Sequence, residues 1–205
     1  MLSMPSAHIA VYDTLADWEV GHLLAELRTG RFTGRPFDVV TVAETAAPVL
    51  TMGGVRYVPD AVLADVEPAA SDLLVLSGAD LWDAGGGDAF TDAAARWLGA
   101  GVPVAAICGG TFGLARAGLL DDREHTSAAP EYLAASGYAG GAHYVHARAV
   151  VGGDVITAGP QSPVQFATAT LGRLGLASEA TLAAYEAVFA DGDQAAFPRL
   201  MAATA

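Results

Sequence analysis

Short apolar segments that end in small residues constrain the fold of this chain more than any other feature. Leu73–Leu76 and residues 102–107 contain no polar side chain, so a strand formed by either segment must be buried on both faces. Strands of that kind occur in parallel sheets, where crossover helices cover both sides. Two further strands are predicted at residues 8–12 and 37–42 from their apolar, β-branched composition. The chain is therefore predicted to build a parallel sheet.

Segments with helical spacing alternate with these strands. Helices are predicted at residues 17–27, 88–98, 130–135 and 163–174, a helical turn at 59–64, and two C-terminal helices from near Ser178 and Gln194. Hairpins are predicted at 49–57 and 149–157, each broken by a glycine pair. This order predicts a three-layer α/β/α sandwich of flavodoxin-like topology with a mostly parallel central sheet. We expect one domain over residues 1–205, in which residues 176–205 form a helical extension that packs on the rest.

The charge of the chain excludes several classes of protein. Its formal net charge is −13, and all 10 cationic side chains are arginine. Such acidity opposes binding to nucleic-acid phosphates or to anionic membranes, and the absence of lysine excludes Schiff-base catalysis and a Walker-type phosphate loop. One cysteine excludes an internal disulfide and a cysteine-based zinc site. With no secretion signal and no apolar stretch that could span a bilayer, we expect a cytoplasmic protein.

The only cysteine, Cys108, stands where the second apolar run meets Gly109 and Gly110. The run predicts a strand and a helix is predicted from Thr111 onward, so Cys108 is expected in a sharp strand-to-helix turn. The positive end of the helix would favour the thiolate over the thiol. This arrangement predicts a nucleophile elbow with an activated cysteine. The alternative is a buried apolar cysteine without a chemical role.

The ends of three predicted strands should meet at one edge of the sheet, because sites in parallel sheets gather beyond the carboxyl ends of the strands. The residues at these three ends are 13–19, the small residues Gly78 and Ala79, and Cys108. The backbone N–H groups of Ala79 and Gly109 would then form an oxyanion hole beside the sulfur. Ordinary tight turns are the alternative interpretation of these small residues.

Three segments with this order and spacing resemble the ThiJ/PfpI superfamily, namely residues 74–78, 105–110 and 155–167. Members of this superfamily share the fold of class I glutamine amidotransferases. The resemblance implies that Cys108 is the nucleophile at the elbow.

The resemblance also implies an acidic residue after the first strand, close to the sulfur. Glu19 is aligned with that position, and Asp17 is the second choice. A carboxyl that stays protonated beside a thiolate would donate a hydrogen bond to sulfur and then act as a general acid. The alternative for Glu19 is a solvated residue in the first turn of a helix.

The segment after the elbow helix departs from many relatives, which carry a histidine behind a pair of hydroxyl residues. Here the pair is Thr126 and Ser127, the next residue is Ala128, and His125 precedes the pair. A cysteine–histidine pair suits proteolysis or glutaminase chemistry. Its absence favours isocyanide hydration, or a glyoxalase or deglycating reaction, on a small electrophilic substrate. His125 is a candidate third member of the site, and a surface histidine is the alternative.

Two other classes of function stay open at this point. A redox or stress-response protein would oxidise Cys108 to sulfenic or sulfinic acid. In a non-catalytic α/β module, such as an amidotransferase-like protein without glutaminase activity, the elbow would be inherited from an ancestor and would have no chemical role.

Further residues are candidates for lining a pocket, namely Gly78, Asp17, His125 and Trp82, although a tryptophan at this position is also typical of a core. We expect no metal site and no cofactor. The expected partners are a small-molecule substrate and, by the resemblance, a second copy of the chain in a homodimer.

Overall fold

The computed structural model describes residues 4–203, and its centre is a seven-stranded sheet. The strands in chain order are β1 (Ser6–Ala10), β2 (Asp38–Ala43), β3 (Val49–Leu50), β4 (Arg56–Tyr57), β5 (Ala61–Val62), β6 (Leu73–Leu76), β7 (Val104–Ile107), β8 (Ala149–Gly152) and β9 (Val155–Ala158). The sheet order is β5-β2-β1-β6-β7-β9-β8, and every neighbouring pair is parallel except β8 with β9. β3 and β4 form a separate antiparallel hairpin. The predicted flavodoxin-like fold is confirmed.

Helices lie on both sides of this sheet. In chain order they are α1 (Gly21–Thr29), α2 (Asp80–Asp83), α3 (Asp88–Gly99), α4 (Gly109–Arg116), α5 (Pro130–Ala134), α6 (Pro163–Arg173), α7 (Glu179–Phe189) and α8 (Phe197–Ala202). No helix between residues 4 and 203 is both long enough and apolar enough to cross a membrane.

Alternate side chains of the central strands enter two separate apolar layers. In β6, Leu74 and Leu76 face an aromatic cluster that contains Trp82, whereas Leu73 and Val75 face the side covered by α1 and α6. All four strand side chains are completely buried, and each contributes about 1.5–3 kcal/mol relative to an exposed position. A strand that is apolar on both faces thus places one layer of helices on each side of the sheet.

The first predicted helix begins later than expected. The helix predicted at residues 17–27 starts at Gly21, because the preceding residues form an irregular loop that is bound to neighbouring segments. In this loop the backbone N–H of Ala16 donates to the carbonyl of Gly78 over 2.9 Å. Glu19 therefore lies in the loop, and its interpretation as a solvated first-turn residue is wrong.

The helical turn predicted at residues 59–64 is also largely wrong. Ala61–Val62 instead forms the edge strand β5, and only Leu63–Asp65 makes a 3₁₀ turn. The cause is a pairing with β2, in which the backbone N–H of Thr41 donates to the carboxylate of Asp60 over 2.8 Å. Such tertiary pairing is invisible to a local pattern.

The C-terminal helices pack against the side of the molecule that carries α1. Tyr185 and Leu200 share a small apolar cluster with Phe32 and Val164, and the hydroxyl of Tyr185 is 2.9 Å from Nδ1 of His22. The division into one domain with an extension at residues 176–205 stays a prediction, and residues 204–205 lie outside the described part of the chain.

Candidate functional site

Cys108 occupies the sharp turn between β7 and α4. Its backbone has a positive φ, with φ 55° and ψ −123°, a conformation that costs a residue other than glycine about 1–3 kcal/mol. The backbone N–H of Cys108 donates to the carbonyl of Ala158 over 3.0 Å, which ties the turn to the neighbouring strand. The side chain is only partly buried. The geometry is that of the predicted elbow, and the helix after it begins at Gly109 rather than at Thr111.

The glycines after Cys108 are required by close packing beneath the turn. A Cβ at Gly110 would lie 2.5 Å from the carbonyl oxygen of Leu76, and one at Gly109 would lie 2.7 Å from the ring of Trp82. Trp82 is completely buried, and its indole N–H donates to the carbonyl of Ser77 over 2.8 Å. Trp82 therefore supports the elbow from below, and its assignment to a pocket lining is wrong.

Glu19 is buried against the cysteine. Its side chain has 0% exposure, and Oε2 accepts a 2.6 Å hydrogen bond from the backbone N–H of Gly78. A Cβ at Gly78 would lie 2.9 Å from Oε1 of Glu19 and 3.0 Å from Sγ of Cys108. No described N–H or O–H group donates to Oε1, and the thiol of Cys108 lies close enough to the carboxyl to lower its pKa. Gly78 thus allows the carboxyl and the sulfur to approach each other.

Burial governs the acidity of both groups. It raises the pKa of Glu19 to about 7, against the opposing effects of the Gly78 N–H and the thiol. Burial and the negative charge of Glu19 raise the pKa of Cys108 to about 12, although the N–H of Gly109 lowers it. The helix start thus lowers the pKa of the thiol, as expected, but burial and the charge of Glu19 outweigh this effect, so the cysteine is not activated while Glu19 is ionised. Because the two groups repel as anions, they titrate as a pair that holds one negative charge near neutral pH.

The two predicted oxyanion donors lie next to each other. A Cβ at Gly109 would be 3.4 Å from the backbone nitrogen of Ala79, and the N–H of Gly109 is directed at the sulfur of Cys108. Ala79 precedes α2 as Gly109 begins α4, so each N–H lies at a helix start where no turn of the same helix can accept it. Stabilisation of an oxyanion by these donors stays a prediction.

Asp17 is bound to a different part of the molecule from Glu19 and the thiol. Its carboxylate accepts hydrogen bonds from the hydroxyl of Thr51 over 2.5 Å and from the backbone N–H of Gly53 over 2.7 Å. These hydrogen bonds lower the pKa of Asp17. Asp17 therefore anchors the β3–β4 hairpin, and neither its role as second choice for the acid nor its assignment to a pocket lining is supported.

His125 is buried, so its interpretation as a surface histidine is wrong. Nδ1 is 2.8 Å from the carbonyl of Arg123, and Nε2 is 3.0 Å from the hydroxyl of Tyr138. Both ring nitrogens are thus committed to partners other than Cys108, and burial lowers the pKa of the ring. Ala128, where many relatives have histidine, is exposed. All five histidines are described, and none makes a hydrogen bond to the thiol.

Two residues near the elbow were missed from the sequence. The hydroxyl of Tyr132 donates to Oδ1 of Asp83 over 2.8 Å, and its ring packs on Phe112 with a centroid distance of 5.0 Å. The charge of Asp83 raises the pKa of Cys108, so this carboxylate is electrostatically close to the sulfur. Only the position of Asp83 one helical turn after Ala79 could have drawn attention to it, and nothing local identifies Tyr132.

The chain is similar to known proteins along most of its length. The model of the DJ-1/PfpI family matches residues 5–173. Among curated proteins, the "uncharacterized protease YoaZ" of Bacillus subtilis is 33% identical over 180 residues, which cover 85% of this chain and 86% of that protein.

Two solved structures resemble the whole chain. A thiJ/pfpI family protein from Bacillus anthracis superimposes with a TM-score of 0.90 at 32% identity, over 98% of both chains. The DJ-1 superfamily protein Atu0886 from Agrobacterium tumefaciens has a TM-score of 0.83 at 31% identity, over 92% of this chain and 100% of that one. The chain therefore belongs to the DJ-1/PfpI family.

Proposed function

We propose that the protein is a cysteine-dependent enzyme in which Cys108 attacks a small electrophilic substrate and Glu19 carries the proton. The observation that supports this proposal most directly is the enclosure of the Glu19 carboxyl, with 0% exposure, between the N–H of Gly78 and the sulfur of Cys108. A buried carboxyl with a raised pKa beside a strained thiol is a feature of reacting sites rather than of stable cores.

The proposed first step is addition of the thiol to an electrophilic carbon, such as that of an aldehyde. Sγ forms a bond to the carbon while the thiol proton passes to Glu19, and the C=O π electrons move onto oxygen. The N–H groups of Ala79 and Gly109 would stabilise that oxyanion until Glu19 returns the proton. A pKa of about 7 for Glu19 suits both directions of this transfer at neutral pH.

Two relatives from Bacillus subtilis are named as uncharacterized proteases, namely YoaZ and YdeA, the latter 28% identical over 164 residues. Departure of an amine requires a base that also donates a proton to nitrogen, a role that histidine usually has in cysteine enzymes. With the rings of His125 and His22 bound to tyrosine hydroxyls, we favour hydratase, glyoxalase or deglycase chemistry over peptide hydrolysis.

The proposal is tested by the pH dependence of Cys108 alkylation with iodoacetamide, followed by intact mass from pH 5 to pH 10 in the wild type and in Glu19→Gln. For the wild type we expect a rise in rate near pH 7, where the pair loses its first proton, and a renewed rise toward pH 10 without a plateau, because the second proton leaves only near pH 12. Glu19→Gln should show a single rise, because no second acid shares the charge.

Cys108→Ser provides the blank for this measurement, since the chain has no other cysteine. Identical single-step profiles in the wild type and in Glu19→Gln would contradict a Cys–Glu pair. Loss of thiol reactivity after hydrogen peroxide treatment, without turnover of an aldehyde or an isocyanide, would favour the redox alternative.

A further inference from the structure

We propose that Asp83 and Tyr132 form an acceptor at the mouth of the Cys108 site, which selects electrophiles that carry a cationic or hydrogen-bond-donating group and disfavours anionic ones. This inference rests on the proposed role of Cys108 as a reactive thiol. It adds the charge class of the substrate.

The position of Asp83 near Cys108 follows from two helices that begin at the site. α2 starts directly after Ala79 and α4 starts directly after Cys108, and their first residues are in contact, because a Cβ at Gly109 would lie 3.4 Å from the Ala79 nitrogen. Asp83 lies four residues after Ala79 and Phe112 four residues after Cys108, which is about one helical turn. They therefore occupy corresponding positions above the elbow.

Tyr132 connects these two positions from a third segment. Its ring packs on Phe112 and its hydroxyl donates to Asp83 over 2.8 Å. Because the phenolic hydrogen is used in that bond, the lone pairs of the oxygen remain free to accept. The carboxylate of Asp83 is exposed, and Tyr132 is partly exposed. Together they present acceptor oxygens and one negative charge to a molecule that approaches the sulfur.

The charges around the sulfur have the same sign. Glu19 and Asp83 are the ionised groups that act on Cys108, and both raise its pKa. Arg116 is held by the carboxylate of Asp88, and Arg148 donates to the carbonyl of Gln161 over 3.3 Å. No arginine in the described part of the chain forms a hydrogen bond or an ion pair with Cys108, Asp83 or Tyr132. A phosphate or carboxylate on the substrate would thus meet repulsion without a counter-ion.

The selectivity can be measured without a known substrate by using methanethiosulfonates of different charge. The thiolate of Cys108 attacks the sulfenyl sulfur, a mixed disulfide forms, and methanesulfinate leaves. The reagents are the 2-(trimethylammonium)ethyl, 2-sulfonatoethyl and neutral methyl compounds. Rates are followed at pH 7.5 by intact mass, and each charged rate is divided by the neutral rate and by the same ratio for free cysteine.

We expect the cationic reagent to be preferred over the anionic one by about tenfold, the combined effect of the negative charges of Asp83 and Glu19 several ångströms away in a partly aqueous medium. Asp83→Asn should bring this preference down to about threefold or less, because Glu19 alone then remains near the sulfur. Tyr132→Phe should give an intermediate preference, since Asp83 keeps its charge but loses the bond that orients it. Asp92→Asn, an exposed carboxylate on α3, controls for the change in net charge and should behave as the wild type.

Two outcomes would overturn the inference. If Asp83→Asn and Asp92→Asn show the same preference as the wild type, the acceptor does not exist, while the reactive thiol stands. If the neutral methyl reagent also fails to modify Cys108, the proposed function is refuted and the charge selectivity with it.

Discussion

At the scale of the residue, the pairing of Glu19 with Cys108 places two acids in one dry environment. Burial disfavours either charge, and proximity disfavours both charges together. The N–H of Gly78 and the N–H of Gly109 compensate in part by donating to the carboxylate and to the sulfur. The buried pair therefore lowers the stability of the folded protein, and a pair of apolar residues at these positions would not. Reacting sites usually reduce stability in this way.

This cost predicts a pH-dependent gain in stability for Glu19→Gln. The pKa of Glu19 is raised from 4.5 to about 7 in the folded protein, so its stabilising effect is complete below pH 4.5 and is lost as the pH rises through 7. By linkage the wild type should lose about 2.5 kcal/mol of unfolding free energy relative to the variant between pH 5 and pH 8.5. Urea denaturation at both pH values measures the difference.

Glu44→Gln is the matched control, because Glu44 is an exposed carboxyl at the end of β2 and its loss changes the net charge equally. A Glu19→Gln variant whose stability follows the wild type in parallel at all pH values would contradict a raised pKa for Glu19.

At the scale of the element, the elbow depends on the contact of α4 with the strand and the tryptophan beneath it. Gly110 lies against the backbone of Leu76, while Gly109 and Gly113 lie against Trp82. Larger residues would push the helix start away from the sheet, and with it the N–H of Gly109. The run of small residues in this segment is thus a packing requirement as well as a conformational one.

We predict that Gly110→Ala destabilises the protein by about 1–3 kcal/mol, because its methyl group would lie 2.5 Å from a backbone oxygen that cannot move alone. Gly21→Ala, at the start of α1 with no atom within 4 Å of the added methyl, should be neutral or stabilising by up to about 1 kcal/mol. Thermal denaturation of the two variants checks this prediction. Equal changes in Tm would show that the elbow tolerates displacement of the start of α4.

At the scale of the whole molecule, the sheet order brings the ends of β1, β6 and β7 together as its three central strands. Each carries one part of the site at its carboxyl end, namely the Glu19 loop, the Gly78 turn and the elbow. The C-terminal helices lie on the side of α1 and α6, in a cluster with Phe32 and Val164. This cluster contains none of the residues that contact the thiol.

We predict that Leu200→Ala lowers the unfolding free energy by about 2–4 kcal/mol, because Leu200 is completely buried in this cluster. Phe197→Ala in the same helix should cost less, since Phe197 is 47% exposed. The alkylation rate of Cys108 should stay within about twofold of the wild type in both variants under native conditions. A strong change in that rate would mean that the C-terminal helices contribute to the site.

The tertiary structure decided the surroundings of the site. His125, a candidate third member of the site, is instead buried with its ring against the hydroxyl of Tyr138, and Asp17 holds a hairpin instead of facing the sulfur. Tyr132 and Asp83 meet from segments 49 residues apart. Each of these outcomes depends on contacts between distant parts of the chain, and no periodicity or local propensity carries that information.

The sequence by itself determined the architecture and the position of the cysteine, because both follow from local chemistry. An apolar run such as Leu73–Leu76 has to be covered on both faces wherever it lies, and a run that ends in Cys108, Gly109 and Gly110 can turn sharply into a helix. Only the folded structure decided how acidic the site groups are, because the pKa values of Glu19 and Cys108 depend on their mutual distance and on the water excluded around them.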